Sequence, residues 1–387
     1  MIYFLLPNVN NDIINKIKII KNDDVSCISY SLSNYLNDIK RKIDNYENDW
    51  DSFKKYTNPF EYINTVITKK NICISKLKPL SRSYYKMIEI IDIFKLLENQ
   101  KDIIQSFHIA EGPGGFIEAL VTKRNNKNDK YTGISLLDDK DDNNIPGWKK
   151  SKQFLENNPN VFIENGIKQD GNILDIDNFD YIVNKYKNTM NFITADGGFD
   201  FSIDFNNQEN IMFQLLCAQI CFAICLQKKS GCFVLKIFDC FSEKTVDLIY
   251  LLSSFYKTVY ICKPQTSRYA NSEKYVVCKD FLFSKSENYL PKIRSLLIDV
   301  LNDDKINRII DEKIPEFFIN KIEEMNSTIG LQQIETINNT MKLIENKNKN
   351  EKIENLIKNN IQKSIHWCIK HEVPYNNIIY NSFLSEP

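Results

Sequence analysis

At 387 residues the chain is long enough for one large domain, or for one domain with a substantial appendage. Hydrophobic residues make up 43% and charged residues 26%, the balance of a soluble globular protein, which excludes a disordered one. Lys+Arg and Asp+Glu stand at 50 each, so net charge gives no argument for nucleic acid and its distribution has to be read instead. Between Lys40 and Lys86 eleven Lys/Arg accompany five Asp/Glu, whereas Asp129 to Asp142 is acidic. A basic N-terminal lobe suits a phosphate backbone, though it is equally the pattern of a solvated lysine-rich surface.

Met1 to Leu6 is a short apolar, strand-like run followed by Asn and Asp, without the cleavage region of a signal peptide. Residues 1–75 mix apolar and basic segments without a clear period and read as a basic N-terminal extension. From Ser81 a helix begins, with Tyr84, Met87, Ile88, Ile91 and Phe94 at spacings of three and four. Ser106–Glu111 reads as a strand ending in Gly112-Pro113-Gly114-Gly115, with a helix after it. Tyr131–Leu136 and Val161–Ile163 are further strands, and Asn191–Asp196 is another, broken by Gly197-Gly198. Gln208–Lys228 is a long helix, Gly231–Phe238 a buried strand and Ser242–Phe255 a helix. Thr258–Lys263 and Lys274–Cys278 are the last strands. Strands alternating with helices predict a largely parallel, doubly wound α/β sheet, Rossmann-like, with helices on both faces. That domain is expected over residues 76–285. From 286 to 387 Lys- and Asn-rich helical segments predict a helical C-terminal appendage, mobile around Glu345–Glu351.

Ten cysteines lie scattered in apolar runs, and Cys217, Cys221 and Cys225 at helical spacing read as core packing. With three histidines and no CxxC pair, no metal site is expected; His366, Cys368 and His371 are too few to make one. The most apolar stretch, Ile211 to Leu226, reads as too short to cross a bilayer. The chain is expected to be intracellular, reduced, soluble and free of membrane.

In an open α/β sheet, ligands bind outside the carboxyl ends of the strands, near the point where strand order reverses. Two features fall at such ends. Glu111-Gly-Pro-Gly-Gly-Phe116 closes the first strand, with glycines that let a ligand approach and a helix whose free N–H groups suit a carboxylate. It lacks GxGxxG spacing, which disfavours a nicotinamide dehydrogenase. Asp196 closes another strand, where an ordinary turn or cap would also use Asp. Lys236 lies inside Cys232-Phe-Val-Leu-Lys-Ile-Phe238, apolar on both sides, and lysine is almost never buried without a partner. Either an ion pair with Asp196 or a functional role accounts for it, and the functional role is the better reading.

Five segments occur in order: Leu80-Ser-Arg-Ser-Tyr-Tyr-Lys86-Met, Ala110-Glu-Gly-Pro-Gly-Gly-Phe116, Ala195-Asp-Gly-Gly-Phe199, Phe233-Val-Leu-Lys236-Ile-Phe-Asp239, and Lys263-Pro-Gln-Thr-Ser-Arg-Tyr-Ala-Asn-Ser-Glu273-Lys-Tyr-Val-Val. Together, over residues 54 to 283, they resemble the FtsJ (RrmJ-type) ribose 2′-O-methyltransferases. The last segment and Asn58-Pro-Phe-Glu61 most resemble the branch acting on the mRNA cap. The resemblance implies a Lys-Asp-Lys-Glu catalytic set at Lys86, Asp196, Lys236 and Glu273, and S-adenosyl-L-methionine as cofactor. Its implied cofactor contacts are Ser81, Ala110, Glu111, Gly112, Pro113, Gly114, Gly115, Phe116, Asn172 and Ile173. Asn172 stands where relatives usually carry an acid, with Asp170 placed to compensate, and Glu111 where they often carry a small residue. Implied RNA contacts are Lys54, Asn58, Asn210, Ser267, Arg268 and Asn271.

Such residue types suit the chemistry. Methyl transfer from a sulfonium is an in-line displacement, and the 2′-hydroxyl must be aligned and lose its proton. A lysine accepts a proton only when neutral, a form favoured by a neighbouring cation and by partial desolvation. Two acids and two lysines leave the cluster near neutral, which burial tolerates. The implied activity is 2′-O-methylation of the first transcribed nucleotide of capped mRNA, with the 5′ end and the capping or transcription machinery as partners. Trp148 is a candidate for stacking on the cap, or else a tryptophan packed on its neighbours. The rival readings are a ribosomal or transfer RNA 2′-O-methyltransferase and an inactive RNA-binding scaffold.

Overall fold

A computed structural model describes residues 1–387 except 22–26, 68–69, 99, 101, 138–146, 199–207, 304, 349 and 379–387. The acidic residues Asp138–Asp142 and Phe199 therefore lie outside the described residues. The strands in chain order are β1 (Ile2–Leu5), β2 (Ile17–Ile20), β3 (Gln105–Ile109), β4 (Lys130–Ile134), β5 (Val161–Glu164), β6 (Met190–Ala195), β7 (Gln227–Ile237), β8 (Tyr256–Lys263), β9 (Lys274–Phe281) and β10 (Arg308–Ile310). The α-helices are α1 (Tyr30–Lys42), α2 (Glu47–Phe53), α3 (Ser83–Phe94), α4 (Gly115–Arg124), α5 (Lys152–Asn157), α6 (Ile176–Tyr186), α7 (Gln208–Leu226), α8 (Glu243–Ser253), α9 (Leu290–Leu301), α10 (Glu316–Glu345) and α11 (Asn350–Lys370).

Eight strands form one sheet in the order β1-β8-β9-β7-β6-β3-β4-β5. From β7 to β5 the pairing is parallel, the doubly wound part that alternating strands and helices predict. The other side is antiparallel: β9 pairs with β7 and with β8, and β1 with β8. The sheet is thus mixed rather than largely parallel, because the link from Lys263 to Lys274 is too short for the crossover that parallel strands need. Strand order reverses between β3 and β6, which pair directly, Ile109 opposite Ala195.

Alternate side chains send two apolar cores to the two faces. Ile193, Phe233 and Leu235 pack under α6–α9, while Phe192, Cys232 and Val234 pack under α3, α4 and α11. Residues 1–75, read as an extension, supply the edge strand β1 and β2, which pairs with β10. Helix α7 is 19 residues long, long and apolar enough by composition to cross a membrane, which corrects the expectation that it is too short. Its residues are mostly buried in the first core, so the interior of the domain accounts for its apolarity. All ten cysteines are free, and Cys217 and Cys221 touch within the core, Sγ to Sγ 3.9 Å. Among the described residues no three His, Cys, Asp or Glu side chains converge as a metal site. His371 Nδ1 instead lies 2.8 Å from Asp92 of α3.

Candidate active site

The reversal point places the carboxyl ends of β3 and β6 side by side, and both unusual turns lie there. Ala110 leaves β3 with φ 52°, and Gly114 has φ 104°, a backbone region that side chains rarely adopt. A Cβ on Gly115 would come within 2.2 Å of the hydroxyls of Ser81 and Ser83, so Ser81 sits directly on the glycine turn. Gly147 and Trp148 lie against it from the other side. A Cβ on Gly112 would meet the Gly147 carbonyl at 2.4 Å, and one on Gly133 the Trp148 ring at 2.6 Å. Ser151 Oγ also donates to the Pro113 carbonyl. Trp148 is therefore packed on the floor of the glycine turn, which accounts for it as a tryptophan packed on its neighbours rather than a surface platform.

Glu111 changes how the start of α4 works. Its buried carboxyl accepts the Phe116 N–H at 2.6 Å and the Thr194 hydroxyl at 3.4 Å. The helix N–H expected to be free for a ligand carboxylate is thus met by a carboxyl of the chain itself, which corrects that expectation. Burial and the neighbouring Asp196 push the Glu111 carboxyl well above its usual range. Thr194 also meets Nδ1 of His108 at 2.7 Å, whose Nε2 lies 2.8 Å from Ser106; burial drives His108 down to about 3, so the imidazole is neutral.

Four charged side chains converge beyond this turn. Lys236 Nζ, on β7, donates to the Asp196 carbonyl at 2.6 Å and lies 3.1 Å from its Oδ1. Gly198 makes room for that amine, since a Cβ there would come within 3.2 Å of it. Gly197 donates its N–H to the buried Gln219 of α7 at 3.0 Å. Lys86 Nζ, on α3, lies 2.8 Å from the carboxylate of Glu273, at the foot of β9, to which Tyr275 also donates at 3.2 Å. Burial would raise Glu273, but Lys86 and then Lys236 outweigh it and hold the carboxyl at about 2. The structure therefore brings Lys86, Asp196, Lys236 and Glu273 together as two ion pairs.

The remaining predicted positions divide. Asp170 and Asn172 cap their own loop: Asp170 Oδ1 accepts Asn172 N–H at 2.9 Å and Asn178 Nδ2 at 2.8 Å, while Asn172 Oδ1 accepts Leu174 N–H at 2.9 Å. The loop nevertheless borders the glycine turn, because a Cβ on Gly171 would strike the Ser135 carbonyl beyond β4. Ile173 and Phe116 are buried in the core. Asn210 is exposed near the start of α7, and Asn271 is exposed in the β8–β9 loop. Ser267 is buried, with its hydroxyl 3.4 Å from Asn271 Oδ1. Lys54 pairs with Asp51, and Asn58 is buried with its amide turned to Glu61, so Asn58 is not presented on the surface. Among the described cations from Lys40 to Lys86, Lys40, Arg41, Lys54, Arg82 and Lys86 have acidic partners.

Glu61, Glu89 and Lys263 are organising residues that the sequence did not disclose. Glu61 is fully buried and accepts from Arg82 at 2.8 Å and from Arg268 at 2.7 and 3.1 Å, joining the Asn58–Glu61 turn, α3 and the β8–β9 loop. Lys263 Nζ donates to the carbonyls of Asn271 and Glu273 and to Asn271 Oδ1. Burial would raise Glu61, but Arg268 and Arg82 hold it at about 2. A depressed carboxyl contributes stability above its ordinary pKa of 4.5 that is lost as pH falls through about 2. Glu61→Ala leaves two guanidinium groups facing each other, and should destabilise the fold by about 3–5 kcal/mol. Urea unfolding at pH 7 and between pH 4.5 and 2 checks both parts, with the variant losing less over the acid range.

Among the described residues one buried polar atom at this crevice, Trp148 Nε1 by the glycine turn, has no hydrogen-bond partner. It fits a polar cofactor bedded along the carboxyl ends of β3, β4 and β6. Fold and site together define an α/β domain of the methyltransferase class. The chain belongs to the FtsJ-like methyltransferase family, whose model matches residues 79–281. It is 33% identical to the cap-specific mRNA (nucleoside-2′-O-)-methyltransferase 1 of Drosophila melanogaster, over 58% of this chain and 29% of that one. It is 32% identical to the protein of that name from Leishmania braziliensis, over 58% and 57%. It is 27% identical to the inactive cap-specific mRNA (nucleoside-2′-O-)-methyltransferase 1B of Caenorhabditis briggsae, over 61% and 29%. The chain spans less than two thirds of the length of each of these relatives.

Proposed function

We propose that the chain transfers the methyl group of S-adenosyl-L-methionine to the ribose 2′-oxygen of the first transcribed nucleotide of capped mRNA. The observation that carries this reading is the pair of lysine–acid contacts, Lys236 with Asp196 and Lys86 with Glu273, beside the glycine turn. The sulfonium cofactor supplies an electrophilic methyl group. Ser81, the glycine turn and Trp148 bound its bed. Lys236, held by the Asp196 carbonyl and carboxylate, orients the 2′-hydroxyl and takes its proton. Lys86, held 2.8 Å from Glu273, places a second cation beside the site and keeps the Glu273 carboxyl charged. Burial and then Asp196 push the Glu111 carboxyl up, which lessens the repulsion between the acids around Lys236.

The cap assignment rests on Asn58-Pro-Phe-Glu61, on the Lys263–Glu273 segment and on relatives named for the cap. One catalytic centre selects one ribose only if the register of the strand is fixed. A methylated guanine at a set distance provides that register, whereas phosphate contacts alone let RNA slide. The chain should methylate capped RNA and leave the same RNA with a 5′ triphosphate untouched, with the product methyl on the first transcribed nucleotide after digestion. Equal rates on both RNAs, or methyl groups spread along internal riboses, would remove the cap and leave the 2′-O chemistry. A relative carrying the word inactive makes the scaffold the second reading, and total lack of transfer to any RNA by the folded chain would favour it.

A further inference from the structure

Helix α3 does two things for the β8–β9 loop. It carries Lys86 to Glu273 at the end of that loop, and one turn further it places Glu89 beneath its start. Glu89 is fully buried and accepts the N–H of Gln265 at 2.8 Å, and the N–H and hydroxyl of Thr266 at 3.2 Å each. The remaining donor comes from the other end of the chain. Trp367 Nε1, on α11, lies 3.3 Å from Glu89 Oε2. Its ring is buried edge-on to Tyr85 of α3, with centroids 5.8 Å apart, and lies 4.5 Å from the ring of His371.

Helix α10 touches the same loop further along, where Gln333 Nε2 donates to the Ala270 carbonyl at 3.1 Å. Both helices also hold the segment before Glu61. Thr340 Oγ1 lies 2.7 Å from Thr57 Oγ1, and Asn360 Nδ2 donates to the Tyr56 carbonyl at 2.8 Å. Glu61 in turn bonds to Arg268 of the loop. The C-terminal helices thus reach the two stretches that bear most of the expected RNA contacts, 54–58 and 267–271, and none of these bonds goes to the glycine turn.

We propose that α10 and α11 position the RNA-facing surface: Trp367 acting through Glu89, and Gln333 through Ala270, fix where the β8–β9 loop presents Arg268 and Asn271. A buried carboxylate binds its donors strongly, and removing one donor weakens the hold on the others. The loop then samples other arrangements, and each RNA-binding event has to restore the competent one. This inference rests on the proposed RNA activity, and Trp367, Glu89 and Gln333 are positioning residues in it.

Trp367→Phe keeps the ring and removes the indole N–H, while Gln333→Met removes the other helix's bond at similar volume. In the full chain, either variant should speed amide exchange across Gln265–Ala270. Each should raise the KM for capped RNA roughly two- to tenfold, the factor that one lost hydrogen bond corresponds to. S-adenosylmethionine affinity by calorimetry should stay at the wild-type value, which separates positioning from general loosening. Should Trp367→Phe fail to fold, Gln333→Met decides alone. A folded variant with unchanged exchange in the loop, or with faster exchange and an unchanged KM, overturns the proposal, as does an equal loss of cofactor affinity. A wild-type chain that methylates no RNA overturns the reading beneath it, and the proposal with it.

Discussion

Lys236→Ala should lower methyl transfer by at least about a hundredfold while the protein still folds and binds its cofactor, since a general base or positioning group contributes about 10²–10⁴-fold. The side chain is held on every side. Its amine donates to the Asp196 carbonyl, sits beside that residue's carboxylate, lies 5.8 Å from the Phe238 ring centre and fills the space that Gly198 leaves. Lys236→Arg should fail as well, because a guanidinium is planar and stays charged, so it cannot take the proton of the 2′-hydroxyl. Removing the ammonium also takes away a cation that draws Glu111 down, so the Glu111 carboxyl moves further above its usual range. The pairing of β7 with β6 and β9 is through the backbone and is untouched, so the fold should survive the loss. Single-turnover transfer of labelled methyl, beside calorimetry and circular dichroism, reads each part separately. Turnover near the wild-type rate in either variant would make Lys236 a structural half of its pair with Asp196.

Lys236 was legible because a lysine in a strand apolar on both sides has few explanations. Asp196 was legible as a strand end, and the two glycines after it are explained by the Gln219 amide and the Lys236 amine. The structural roles of Glu61 and Glu89 were not legible. Glu61 stood out only within Asn58-Pro-Phe-Glu61 and Glu89 was one acid among fifty acidic residues, and their roles come from Arg82, Arg268 and loop amides that only folding brings close. The edge strand β1 was readable as a strand, but its partner β8 lies at the far end of the domain. Two signals were present and missed. Asp175 caps α6 at 2.9 Å to the Asp177 N–H, ahead of Phe179, Ile182 and Val183 at helical spacing. The short link between β8 and β9 likewise implied an antiparallel pair.

Gly114→Val should weaken S-adenosylmethionine binding by about tenfold or more, because a side chain held in such a backbone region costs about 1–3 kcal/mol. Space is not the obstacle. A Cβ at Gly114 would find the Trp148 ring at 3.4 Å and Leu80 at 3.5 Å, both near ordinary contact. The obstacle is φ 104°, where a β-branched residue is strained whatever surrounds it. The chain relieves that strain by moving the turn, and three contacts move with it: Glu111 to the Phe116 N–H, Ser81 against Gly115, and Ser151 to the Pro113 carbonyl. All lie at the carboxyl end of β3, so the bed of the cofactor shifts while the sheet, held by pairing from β1 to β5, remains. Trp148 packs on the same turn, and its fluorescence should change in the variant before any cofactor is added. Calorimetry giving the wild-type affinity in a folded Gly114→Val would take the glycine turn out of the binding site. Altered fluorescence with lost affinity would tie both to the one backbone conformation that only glycine holds without strain.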